Sequence, residues 1–187
     1  LWNEALSLAL GDVNGDGNVD ALVNTTYYYI SPMAATLLGD GHGGFSPAIP
    51  VAVTFSGQPH LGQFTGDDAL DLFVAGEGSA ALYPGNGDGT FAAPIGLYPS
   101  SSVVLVGDLN NDAKQDYVYS GIRWINACLN DTEGHFTCSL VTSEEITAAA
   151  LADFDGDNAV DLLLTTYVGT QVRSGNGDGT FAAPIAF

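Results

Sequence analysis

The sequence predicts an all-β fold of four tandem repeats, and three observations carry that prediction. First, the phrase GNGDGTFAAPI occurs at 85–95 and again at 175–185, with weaker copies at 39–49 and 130–140. Aligned on their aromatic residue, the four copies place Phe45, Phe91, Phe136 and Phe181 at intervals of 46, 45 and 45 residues. Second, an acidic phrase beginning at Asp12, Gln63, Asp108 and Asp153 recurs at intervals of 51, 45 and 45 residues. Two registers with one period define a repeat array. Third, short runs of Val, Leu, Ile, Tyr and Phe alternate with Gly- and Pro-rich turns, and no long stretch keeps a helical period.

Within a repeat the elements follow in order. In the third, strand a is expected at 102–107, b at 116–120, c at 123–129 and d at 135–141. Acidic loops join a to b, and Gly-rich turns join c to d. The turn glycines supply the positive φ of a tight hairpin. Asp88 and Asp178 read as turn formers, Phe91 and Phe181 as anchors, and Pro94 and Pro184 suit an outer edge strand. Such a unit cannot bury both of its faces alone, so neighbours must stack on it. Four short antiparallel strands in about 45 residues is the pattern of a β-propeller blade. The expected blades are 1–54, 55–99, 100–143 and 144–187, forming one array. Two apolar columns support the stacking: Val13, Phe64, Leu109 and Phe154 after the first acidic position, and Leu22, Leu72, Tyr117 and Leu162 near the start of strand b.

Composition narrows the partners. Of the 187 residues 46% are apolar, enough for a core, while the formal charge is −19 with only Lys114, Arg123 and Arg173 basic. Nucleic acid and anionic membrane surfaces need a basic face, so nucleic acid is a poor partner and an anionic membrane surface is disfavoured. No apolar run is long enough for a spanning helix. Crowded carboxylates repel one another unless cations neutralise them. The chain starts at Leu1 without Met, which reads as a mature form or an excised segment. Cys128 and Cys138 flank the third c–d turn. Paired, they staple that hairpin and imply an oxidising compartment; unpaired, they are two buried thiols. Asn24 and Asn130 each start an N-glycosylation acceptor triplet.

The a–b loops carry the chemistry. The first reads Asp12, Asn14, Asp16, Asn18 and Asp20 at positions 1, 3, 5, 7 and 9, with Gly17 at position 6. Alternate oxygens turn inward as such a loop curls. A hard cation such as Ca²⁺ takes six to eight oxygens at about 2.3–2.6 Å. The expected ligands are Asp12, Asn14, Asp16 and Asp20; Asp108, Asn110, Asp112 and Asp116; and Asp153, Asp155, Asp157 and Asp161. The backbone carbonyls of Asn18, Lys114 and Ala159 complete the three sets. Loop 2 offers only Gln63, Thr65, Asp67 and Asp71, a weak or empty site. An EF-hand is a rival reading, but position 12 is Val23, Tyr119 or Leu164 rather than Glu. A dockerin needs a helix after the loop, where this chain has strand-forming residues. An acidic turn without metal is the remaining alternative, weakened by three such loops in register.

The sequences DVNGDGNVDALV and DFDGDNAVDLLL, each followed by a GNGDGTF-like turn, resemble FG-GAP/VCBS repeats. These are the blades of integrin-α-type β-propellers and of related secreted propellers, lectins among them. The resemblance spans essentially the whole chain and implies Ca²⁺ in the a–b loops, with loop 2 departing from the pattern. Because such propellers usually have more blades than four, the array closes alone, pairs with another chain or belongs to a longer protein.

In an up-and-down blade the a–b and c–d loops share one end, and the b–c and d–a connections share the other. Repeat 1 has five extra residues in its b–c connection, next to Tyr27, Tyr28 and Tyr29. Insertions of this kind mark binding faces. Tyr98, Tyr119, Trp124 and Tyr167 fall at or near the same end. Exposed, these rings suit sugar stacking or protein docking; buried, they cover the core. The three histidines read as surface residues, and no catalytic motif is present. The expectation is a secreted, extracellular or cell-surface binding module for carbohydrate or protein, without catalysis. Its alternatives are a structural subunit of an extracellular fibre or surface assembly, with a homo-oligomer or larger array as partner, and an accessory domain of a polysaccharide-active enzyme.

Overall fold

The computed structural model describes residues 4–26, 33–53, 57–76, 78–98, 104–131 and 133–187. It is all-β, and its strands form four separate four-stranded antiparallel sheets, each an up-and-down meander in sequence order. The chain divides into two compact units, Leu1–Pro99 and Ser100–Phe187.

The first unit holds two sheets. Blade 1 is β1 (Glu4–Gly11), β2 (Asp20–Thr26), β3 (Met33–Leu37) and β4 (Ile49–Val51). Blade 2 is β5 (Gln58–Gly62), β6 (Asp71–Gly76), β7 (Ser79–Tyr83) and β8 (Gly96–Tyr98). The second unit holds blade 3, of β9 (Val104–Gly107), β10 (Asp116–Ser120), β11 (Ile125–Asn130) and β12 (Phe136–Thr142). It also holds blade 4, of β13 (Ile146–Ala152), β14 (Asp161–Thr166), β15 (Gly169–Arg173) and β16 (Ile185–Ala186). The fold is therefore a β-propeller type of blade array. Pro184 directly precedes the edge strand β16, Pro94 lies two residues before the edge strand β8, and Pro50 lies within the edge strand β4, the positions in a sheet that tolerate a missing N–H.

Within each unit the blades bury a shared seam. Side chains alternate between the faces of a strand, and residues paired across strands share a face. In unit 1, Leu22 of β2 and Ala34 of β3 pack with Leu72 and Val74 of β6 and with Ala81 and Tyr83 of β7. In unit 2, Val118 of β10 and Ala127 of β11 pack with Leu162 and Leu164 of β14. The geometry is directional. The earlier blade presents the second residue after its ninth-position aspartate (Leu22, Val118), and the later blade presents the first and third (Leu72 and Val74, Leu162 and Leu164). These are called the leading and trailing faces below.

The expected column of Leu22, Leu72, Tyr117 and Leu162 is fully buried, but its alignment is one residue out in blade 1. Leu22 stands on the leading face and meets Leu72 across the seam, while Ala21 takes the trailing position. The other column holds for Val13, Phe64 and Leu109, each at most 3% exposed, and fails for Phe154 at 49%.

The c–d turns close as hairpins. Asn86 N donates to Thr90 O and Asn176 N to Thr180 O, both at 3.0 Å. Gly85 bridges Phe91 and Gly175 bridges Phe181. Gly87, Gly89, Gly177 and Gly179 all have φ between 69° and 86°, where a side chain is strained. Asp88 Oδ1 accepts Thr90 N at 2.9 Å and Asp178 Oδ1 accepts Thr180 N at 2.9 Å. Those hydrogen bonds, led by the ones from the Thr90 and Thr180 hydroxyls, hold both carboxyls below their usual range. Phe91 and Phe181 pack on the trailing-face cores of blades 2 and 4.

Cys128 and Cys138 are directly paired across β11 and β12 and form a disulfide. The acceptor triplets fare differently. Asn24 is 1% exposed and its Nδ2 donates to Gly57 O; Asn130 is 4% exposed and its Nδ2 donates to Gln115 O at 3.3 Å. A glycan needs a solvent-facing amide nitrogen, so neither asparagine suits one in the folded chain. Their side chains instead bridge strand ends. His60 also departs from the surface reading: it lies in β5, its Nε2 is buried without a partner, and burial lowers its pKa.

Candidate metal loops and ligand face

Three of the four acidic loops share one backbone path. Positions 4 and 6 are left-handed in each: Gly15 and Gly17, Asn111 and Ala113, Gly156 and Asn158. Loop 2 differs, and neither Gly66 nor Asp68 is among the left-handed residues. The path turns the loop amides onto the first aspartate. Asp12 accepts Asp16 N at 3.1 Å and Gly17 N at 2.8 Å. Asp108 accepts Asp112 N at 3.2 Å and Ala113 N at 2.8 Å. Asp153 accepts Gly156 N at 2.7 Å and Asn158 N at 3.0 Å.

The third and fifth positions curl onto the same centre. Asn14 Oδ1 accepts Asp16 N at 3.1 Å, and Asn110 Oδ1 accepts Asp112 N at 3.3 Å. The Asn18 amide and the Asn14 side chain lower the Asp16 pKa. In blade 4, ligand oxygens of Asp153, Asp155 and Asp161 lie within 4.8 Å of one another. Three carboxylates this close, with no cationic side chain hydrogen-bonded to them among the described residues, form a hard-oxygen donor set whose repulsion a divalent cation relieves.

The ninth-position aspartate has a role the sequence reading missed. Asp20, Asp71, Asp116 and Asp161 are all fully buried. One oxygen of each accepts the amide at loop position 2: Val13, Phe64, Leu109 or Phe154, at 2.8–2.9 Å. The other accepts the first amide of the c–d turn: Gly39, Gly85, Asn130 or Gly175, at 2.8–2.9 Å. The carboxylate thus staples the a–b loop to the c–d turn in every blade, including blade 2, whose loop lacks the metal pattern. Burial, together with the nearby Asp112 and Asp108 charges, raises the Asp116 pKa to about 6 against the pull of its two backbone hydrogen bonds.

The ligand-face aromatics separate. Tyr27, Tyr28 and Tyr29 lie outside the described residues, and Tyr98 is described only as a backbone pair of Ala80 in β8. Tyr119 is 5% exposed and sits edge-on to Trp124, with ring centroids 5.1 Å apart. Its hydroxyl accepts Asn126 Nδ2 at 3.2 Å. Tyr119 therefore covers the core rather than offering a stacking surface. Trp124 lies half-buried over Gly121, where any Cβ would collide with its ring. Tyr167, at the tip of the β14–β15 turn, is 77% exposed.

Beside that turn lies a cavity of about 130 Å³, lined by Glu144, Thr166, Thr170, Gln171, Ala186 and Phe187 among others. Gln171 Nε2 donates to Glu144 Oε2. Arg173 lies 4.0 Å from Glu144 Oε1 and donates to Thr142 Oγ1 at 3.3 Å. This network fixes the carboxylate and the amide at the cavity wall. The sequence reading did not single out Glu144 or Gln171 as site residues.

Residues 63–119 match the family model described as an FG-GAP-like repeat. No curated protein matches the chain. Among solved structures, a lectin of Agrocybe aegerita that recognises non-reducing terminal N-acetylglucosamine superposes with a TM-score of 0.74 at 20% identity, over 95% of this chain and 50% of the lectin's. The Tc holotoxin pore of Photorhabdus luminescens superposes with a TM-score of 0.56 at 19% identity, over 100% of this chain and 10% of the toxin's. The chain thus spans half the length of the lectin and a tenth of the toxin chain it matches. With the repeat match at 63–119 and four meander sheets in sequence order, the chain has an FG-GAP β-propeller-like fold.

Proposed function

We propose that the chain is a secreted, calcium-stabilised β-propeller module that binds carbohydrate at the b–c and d–a end of its blades. The observation that carries the ligand reading is the blade 4 cavity, in which Glu144, Gln171, Thr166 and Thr170 surround a space that the exposed Phe187 also lines, next to the β14–β15 turn that carries the exposed Tyr167. Fixed hydrogen-bonding groups beside open rings suit a polyol with an apolar face. The lectin neighbour makes N-acetylglucosamine the first ligand to try. Calorimetry of the chain with N-acetylglucosamine and its β-linked oligomers, together with a glycan array, tests this. Binding that Gln171→Ala abolishes supports the site, and an array without hits overturns it.

The donor set of loops 1, 3 and 4 supports the calcium reading. Asp12, Asn14, Asp16 and Asp20 and their counterparts in loops 3 and 4 would hold the ion, with the Asn18, Lys114 and Ala159 carbonyls. A bound cation there offsets carboxylate repulsion and fixes the loop beside the c–d turn. Calorimetric titration with Ca²⁺ checks it directly.

A further inference from the structure

Two polar side chains of β15 stand where blade 2 builds its core. In blade 2 the first and third residues after the ninth-position aspartate, Leu72 and Val74, pair with Tyr83 and Ala81. Both partners are at most 1% exposed and belong to the seam core. In blade 4 the same positions, Leu162 and Leu164, pair with Arg173 and Gln171. Gln171 is 8% exposed, and the Arg173 side chain 12%. A guanidinium and an amide at core positions carry a desolvation cost that tyrosine and alanine largely escape. Where a repeat breaks its own packing pattern in this way, function is the reason to look for.

The hydrogen bonds show what the two residues do. Gln171 Nε2 donates to Glu144 Oε2. An ionised carboxylate only accepts, so the amide can point just one way and its Oε1 is left as an acceptor. Arg173 donates to Thr142 Oγ1 at 3.3 Å and lies 4.0 Å from Glu144 Oε1, so it anchors the carboxylate without itself lining the cavity. Among the described residues Glu144 is the one charged side chain in the cavity wall. The Thr166 hydroxyl is already spent in the β14–β15 turn, donating to Gly169 O at 3.1 Å and accepting Val168 N at 3.2 Å. The fixed side-chain atoms offered to a ligand are therefore acceptors, the Glu144 carboxylate and Gln171 Oε1. Thr142, Glu144, Gln171 and Arg173 all lie within unit 2.

Resting on the carbohydrate reading of this cavity, we propose that it selects uncharged glycans, taking their hydroxyl or amide N–H donors on Glu144 and Gln171 and rejecting acidic sugars. A sugar hydroxyl gives its proton to either acceptor. The carboxylate of a uronic or sialic acid, ionised at neutral pH, brings only lone pairs. It would face Glu144 as a like charge, with no cationic group in the wall to receive it. Specificity then comes from the repulsive element as much as from the hydrogen bonds. Glu144 and Gln171 are the residues that set it.

An array that carries neutral glycans beside their uronic and sialylated counterparts reads the preference, and calorimetry with N-acetylglucosamine and glucuronic acid measures it. The expected hits are neutral glycans, with glucuronic acid binding about tenfold or more weakly than N-acetylglucosamine. The ratio persists at high salt, because it arises at contact rather than from the field of the whole chain. Glu144→Gln keeps the size and one acceptor while removing the charge, so the neutral sugar still binds and the discrimination collapses. The Glu144 side chain is 43% exposed, so this variant keeps the fold, as an unchanged far-ultraviolet spectrum verifies. Acidic glycans bound as tightly as neutral ones, or an unchanged ratio in Glu144→Gln, overturn this proposal and leave the carbohydrate reading standing. An array without hits overturns both.

Discussion

Replacing Asp71 by alanine isolates the carboxylate staple from any metal effect, because loop 2 lacks the metal pattern. In the wild type Asp71 Oδ2 accepts Phe64 N at 2.9 Å and Thr65 N at 2.7 Å, and Oδ1 accepts Gly85 N at 2.9 Å. The Thr65 hydroxyl adds a contact at 3.0 Å. Alanine removes every one of these acceptors at a site with no solvent exposure. An unsatisfied buried donor costs about 1–3 kcal/mol. Only the Phe64 amide bond is fully buried, and water reaches the other two in part. The expected loss is about 3–5 kcal/mol in total, or a melting temperature lower by about 10 °C. Urea unfolding in chelator, followed by tyrosine and tryptophan fluorescence, measures it. Asp67→Ala is the control, since among the described residues the exposed Asp67 accepts one hydrogen bond, from the Ala69 amide at 3.0 Å. If Asp71→Ala is no more destabilising than Asp67→Ala, the staple argument is wrong.

Three further outcomes follow from the same geometry. Ala113 holds φ at 66° in loop 3, a conformation costing a side chain about 1–2 kcal/mol, partly offset in glycine by backbone entropy; Ala113→Gly should therefore raise the urea midpoint, and an unchanged or lowered one counts against the strain. Reducing Cys128–Cys138, which closes a loop of sequence separation 10, should cost about 3 kcal/mol, read as a shift in thermal melting between oxidised and reduced protein. Asp116 binds its proton more tightly folded than unfolded, with a raised pKa of about 6. Its contribution to stability is therefore full at pH values below the ordinary carboxylate range and is lost as the pH rises through about 6. Urea midpoints at pH 5 and pH 7 in chelator should show this loss, Asp116→Asn should flatten it, and Ca²⁺ should oppose it by favouring the ionised carboxylate.

The candidate site was legible in the sequence where it depends on spacing along the chain. Alternate oxygens in a nine-residue loop mark a candidate cage whatever surrounds it; Gln63 and Thr65 stand where the other loops have Asp or Asn, and loop 2 also takes a different backbone path, which the sequence reading did not predict. Exposure was not legible. Tyr119 and Tyr167 fall at the same end of their blades, yet the first is covered by Trp124 and the second stands free. Asn24 and Asn130 match a surface motif but are buried bridging groups, because a triplet carries no information about what packs over it.

By itself the sequence determined the all-β class, the period, the order of strands within each repeat and the turn chemistry. All of these follow from local propensity, alternation and glycine conformation within about 45 residues. Only the tertiary structure decided which face of each strand enters a seam, since that depends on register between strands, and a slip of one residue exchanged Ala21 for Leu22. It also decided that the ninth-position aspartate is a buried staple between two loops, because its partner amides lie as many as 19 residues away and are brought to it only when the blade closes.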